Sequence, residues 1–68
     1  MVENRAIEFR GADMTIGDTT RPVGEVVSIM TEGEGVRVRF RDGSSDVGGS
    51  ISDLFTLRDM CPWAAVAL

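Results

Sequence analysis

Apolar and polar positions alternate along most of the chain at the period of a β-strand, and glycines and prolines cut the alternation into short runs. Ile7-Glu8-Phe9-Arg10 alternates and ends at Gly11-Ala12-Asp13; Met14-Thr15-Ile16 alternates again before a loop over Gly17 to Pro22. Met1 to Phe9 also admits a short helix with Val2, Ala6 and Phe9 on one side, but the strand is preferred. Gly24 to Met30 is rich in β-branched residues, Glu32-Gly33-Glu34-Gly35 supplies a hairpin loop, and Val36 to Arg41 alternates strictly. Val36, Val38 and Phe40 share one face of that strand, with Arg37, Arg39 and Arg41 on the other; a helix would scatter these arginines. Val26 and Ile29 both look like core residues, yet their odd spacing puts them on opposite faces of a regular strand, so a bulge or sharp bend is expected between them. Asp42-Gly43 marks a tight turn, and Ser44 to Ser50 reads as a short edge strand or a mobile loop. Ser52 is placed to cap a single helical turn through Asp53-Leu54-Phe55, after which Thr56-Leu57-Arg58 returns as the last strand.

These segments predict an all-β fold in a single domain over residues 1–68, with residues 60–68 an apolar C-terminal tail. Gly24-Glu25-Val26-Val27-Ser28-Ile29, the strand and turn from Val36 through Gly43, and Asp53-Leu54-Phe55-Thr56-Leu57 resemble the corresponding segments of Tudor- and KOW-type domains. The resemblance spans residues 16–57 and implies a small five-stranded SH3-like barrel with one short helical turn before the last strand. It also implies binding through loops or an exposed sheet face. Methyl-lysine-reading Tudor domains carry an aromatic cage; the aromatic residues here are Phe9, Phe40, Phe55 and Trp63, with Phe40 assigned to the core. KOW-type nucleic-acid binders tend to be basic, whereas this chain carries a formal net charge of −4.

Length and composition narrow the function. A chain of 68 residues buries only ~60% of the surface its unfolded form exposes, which argues against a deep enclosed active site. Apolar residues at 43% and charged residues at 26% are the proportions of a folded domain. Histidine, lysine and tyrosine are absent, which removes the usual general base, the imidazole metal ligand, the Schiff-base nucleophile and the phosphate-binding P-loop lysine. Cys61, the sole cysteine, rules out an intrachain disulfide and a multi-cysteine zinc site. An enzyme would have to run on Asp, Glu, Ser, Thr and Arg, so no catalytic residue, metal site or cofactor is expected. The acidic balance opposes non-specific binding to DNA and anionic membranes, although a local basic strip remains compatible with it. The longest apolar stretch, Trp63 to Leu68, is six residues, against the ~20 a membrane helix needs. Met1 to Arg5 lacks the basic start and apolar run of a signal peptide, so a cytoplasmic location with Cys61 reduced is expected. All seven basic residues are arginine, which suggests GC-rich coding and would fit a bacteriophage protein.

The arginine row is the most informative chemistry. Arg37, Arg39 and Arg41 would present their guanidinium groups along ~13 Å of one strand face, a spacing that suits an acidic protein partner or a phosphate backbone. The plain alternative is a solvated face on which these arginines pair with Glu25, Asp42 or Asp46. The apolar tail with Trp63 either packs back over the core, docks on a second copy, or fills a groove on another protein. Gly48-Gly49-Ser50 lacks the strand-to-helix pattern of a phosphate loop and reads as a flexible hairpin loop. Asp42 with Asp46, or Glu32 with Glu34, fits no EF-hand spacing, and Cys61 beside Pro62 reads as packed rather than reactive. The expected function is a non-enzymatic binding module, a small accessory or regulatory protein acting by protein–protein contact. Its expected binding residues are Arg37, Arg39, Arg41, Glu32, Glu34, Asp42 and Trp63. Two alternatives stay open: a nucleic-acid-binding barrel using the arginine face, and a homo-oligomeric, virion-type structural component assembled through strand edges and residues 60–68.

Overall fold

A computed structural model describes residues 5–68 and turns the short alternating runs into seven strands in two sheets. Strands β1 (Ile7–Arg10), β2 (Asp13–Ile16) and β3 (Thr19–Pro22) form an antiparallel meander. Gly11, at φ +56°, takes the left-handed conformation that its first turn requires. The register opposes Ile7 to Ile16 and Phe9 to Met14, which turns these side chains to one face. Ile7, Met14 and Ile16 are buried there. Of the expected helix over Met1 to Phe9, residues 1–4 lie outside the described residues, and Ile7–Arg10 is a strand as preferred.

Pro22 ends β3, and a 3-10 turn over Val23–Glu25 carries the chain into the second sheet. That sheet has the order β6-β5-β4-β7, with β4 (Val26–Glu32), β5 (Gly35–Phe40), β6 (Ser45–Gly48) and β7 (Ala65–Ala67). The expected bulge is present. Val26 opposes Phe40 and Ser28 opposes Arg39, so Val27 is the extra residue, and Val26 and Ile29 both end up buried. Val36, Val38 and Phe40 are buried on the inner face of β5, as their alternation predicts.

Three expectations need correction. The strands do not close into a five-stranded barrel, because the 3-10 turn separates β3 from β4 and leaves each sheet with its own edges. The helix α1 (Ile51–Met60) is ten residues long, and it includes the Thr56-Leu57-Arg58 segment expected as the last strand. It starts earlier than expected because Ser50, not Ser52, is its N-cap: the Asp53 carboxylate accepts the Ser50 backbone N–H at 2.8 Å, in a capping-box arrangement. Leu54, Leu57 and Cys61 then fall at helical spacing on one side, and all three are buried against the second sheet. Finally, Gly48-Gly49 is a packed junction rather than a flexible loop, while Ser44 to Ser50 does contain an edge strand, β6, one of the two readings its sequence allows. A Cβ on Gly48 would lie 2.5 Å from the Arg5 carbonyl oxygen and 3.0 Å from Ile16 Cγ2, so only glycine fits where the first sheet presses on β6. The Gly49 N–H donates to the same Arg5 carbonyl at 2.6 Å.

The tail packs on its own chain. β7 lies parallel to β4, pairing Ser28 with Ala65, Ile29 with Val66 and Met30 with Ala67. Both sheets and α1 thus enclose one core containing Met14, Ile16, Val26, Ile29, Val36, Val38, Phe40, Leu54, Leu57 and Cys61. Among the described residues no helix is long and apolar enough to cross a membrane.

Candidate functional site

The side of the second sheet turned away from this core carries two of the predicted site residues, Arg37 and Arg39. Register places Met30 and Ser28 of β4, Arg37 and Arg39 of β5, Val47 and Ser45 of β6, and Ala65 and Ala67 of β7 on it. The strands differ in what they leave accessible. Met30 is 40% exposed and Val27, pushed out by the bulge, 37%.

The arginine row divides into three environments. Arg37 is held at both ends of its fork: Nε and Nη2 donate to the two Glu32 carboxylate oxygens at 2.7 Å each, and Nη1 donates to Ser45 Oγ at 2.7 Å. The hydrogen bond from Arg37 lowers the Glu32 pKa, and that from Glu32 raises the Arg37 pKa, so both stay charged together. The partner is Glu32 at the mouth of the hairpin, where Glu25, Asp42 and Asp46 were expected. Arg41 follows the end of β5, donates to the Gly24 carbonyl at 3.3 Å and leaves the row. Arg39 is exposed and lies between Ser28 and Ser45, and its guanidinium has no hydrogen bond or ion pair with any described residue.

The two glutamates of the hairpin part in the same way. Gly33 and Glu34 form a two-residue loop with Gly33 at φ +60°, which a tight hairpin turn favours. Glu32 is consumed by Arg37, whereas Glu34 is exposed at the tip and has no partner among the described residues. Trp63 donates its indole N–H to the Val26 carbonyl at 2.8 Å, just before β7 begins to pair with β4. The indole thereby supplies a donor where the parallel ladder has not yet started, while 55% of the residue stays exposed.

Asp42 and Arg41 belong to a different place, an open cleft of about 240 Å³ that they line with Arg21 and Glu25. The sequence reading missed Arg21, which is the hub here. Its guanidinium sits 3.9 Å from the Phe40 ring centre and donates to Glu25 and Asp42 at 2.9 Å each and to Ser44 Oγ at 2.5 Å. It ties the edge strand β3 to the β5–β6 turn, two segments that share no strand ladder. The contacts to Glu25 first, and then Asp42, raise its pKa. Asp42 is pulled down to about 2 by hydrogen bonds from the Ser44 hydroxyl and backbone N–H, with Arg21 adding to the effect. Glu25 lies only four residues on, but no sequence signal joins Arg21 to Asp42 and Ser44.

A second open cleft of about 430 Å³ lies on the outward side of the first sheet, lined by Glu8, Arg10, Asp13, Thr15 and Thr20. Both clefts mix charges of opposite sign. Among the described residues, no three His, Cys, Asp or Glu side chains come together in a way that could hold a metal ion. Cys61 is buried; burial pushes its thiol pKa up, and the thiol donates to the Val23 carbonyl at 3.7 Å. No protein-family profile, curated protein or solved structure matches the chain.

Proposed function

We propose that the chain is a non-enzymatic binding module that takes an acidic protein segment on the outward face of its four-stranded sheet. The observation that carries this reading is Arg39. It is an exposed cation without a partner among the described residues, set diagonally across from the exposed Met30 on a sheet face turned away from α1 and the first sheet. An apolar centre flanked by an unpaired arginine is the surface chemistry of a protein contact, with charge selecting the partner and apolar burial holding it. Glu34 at the hairpin tip and Trp63 at the start of β7 border the same sheet. The resemblance of Gly24 to Ile29, Val36 to Gly43 and Asp53 to Leu57 to Tudor- and KOW-type domains stays part of this proposal, and it implies binding through loops or an exposed sheet face.

Nucleic acid is the weaker reading, because Glu32 already occupies the Arg37 fork and Arg41 points to a cleft shared with Glu25 and Asp42. The test is affinity capture from lysate, split into nuclease-treated and untreated halves. A protein retained equally in both halves supports the module, and capture lost after nuclease overturns it.

A further inference from the structure

The two sheets expose four edge strands, β1, β3, β6 and β7. Edge strands template pairing with other chains, and proteins blunt them with charges, proline or bulges. Three of the edges are blunted in this way. β1 carries Glu8 and Arg10, β3 carries Arg21 and Pro22, and β6 carries Asp46. β7 reads Ala65-Val66-Ala67, with all three residues exposed and without charge, proline or bulge. Its inner side is paired to β4; its outer side faces no strand among the described residues. Met60 to Leu68 is also without a charged side chain, in a chain of net charge −4. A second copy, equally acidic, meets the least repulsion there.

We propose that β7 pairs antiparallel with the β7 of a second copy across a twofold axis, joining two four-stranded sheets into one of eight strands. The segment is its own complement. With the axis at Val66, each Ala65 opposes the partner's Ala67, and small side chains meet small ones on the outward face. The same register brings Leu68, 77% exposed, opposite the partner's Ala64 and next to the partner's Trp63, 55% exposed. These residues supply the apolar area that a three-residue strand lacks, so the dimer is weak and concentration-dependent. The pairing also places two Arg39-bearing faces side by side on one continuous sheet, which makes the assembly bivalent.

The test is sedimentation equilibrium of the full chain from micromolar to millimolar concentration. The wild type is expected to move from monomer to dimer, with the emission of its only tryptophan shifting to the blue over the same range. The double variants Ala65→Glu with Ala67→Glu, and Ala65→Lys with Ala67→Lys, place like charges opposite one another and should each weaken the dimer by roughly tenfold or more. Mixing the two should restore a heterodimer, a result that misfolded variants could not give. A wild type that stays monomeric throughout, or a dimer that both variants leave intact, overturns the proposal.

Discussion

Arg37 and Arg39 stand two residues apart on one strand and meet different fates because of what lies across from them: Glu32 reaches Arg37, and only serines flank Arg39. The sequence showed their shared face but could not show which acid folding would deliver to which arginine, since that depends on the hairpin register. Asp42 allows a sharper expectation. Its pKa is about 2 in the folded chain against an ordinary 3.8, so its contribution is complete above the ordinary value and is lost as pH falls from about 4 towards about 2. Asp42→Asn should therefore flatten the acid limb of stability over that window, as read by denaturant unfolding at several pH values, and change little of its shape near neutrality. Gly48 makes the second residue-scale case. Gly48→Ala drives a methyl group into the Arg5 carbonyl, which is backbone and cannot swing away, and should cost about 1–3 kcal/mol in chemical denaturation.

At the scale of elements, β4 and β5 were legible because their information is local: strict alternation in β5, and the odd spacing of Val26 and Ile29 that a bulge resolves. The helix was half legible. Its start is visible in the capping serines, but the helical spacing that links Leu54 and Leu57 to Cys61 is lost if Ser52 is taken as the cap and Thr56 to Arg58 as a strand. β7 was legible only as an apolar tail, because its pairing joins residues 65–67 to residues 28–30 and nothing within either segment encodes the match. That pairing gives Trp63 a structural role which can be measured. Trp63→Phe keeps an aromatic ring, though a smaller one, and removes the donor to the Val26 carbonyl; it should cost about 0.5–1.5 kcal/mol of stability. Deleting Met60 to Leu68 removes Cys61 from the core as well as β7 from the sheet, and should lower the thermal midpoint far more than the point variant does. A deletion variant with the wild-type midpoint would mean that the tail contributes nothing to the fold.

For the whole molecule, the core side of the second sheet is consumed by packing, and the outward side is left with a cation unpaired among the described residues, in an acidic chain. If Arg39 and Arg41 were instead phosphate contacts, duplex DNA affinity would fall with salt at a slope of about −1.8 in log–log terms; the account predicts no measurable duplex binding at physiological salt. Arg39 is proposed to select a protein partner without supporting the fold. The most direct measurement compares wild type and Arg39→Glu by capture on the same immobilised scaffold, together with thermal unfolding of each. Arg39→Glu should lose the captured protein while keeping its stability within about 0.5 kcal/mol of wild type, as expected for an exposed residue without partners among the described residues. Undiminished capture by the variant would contradict it.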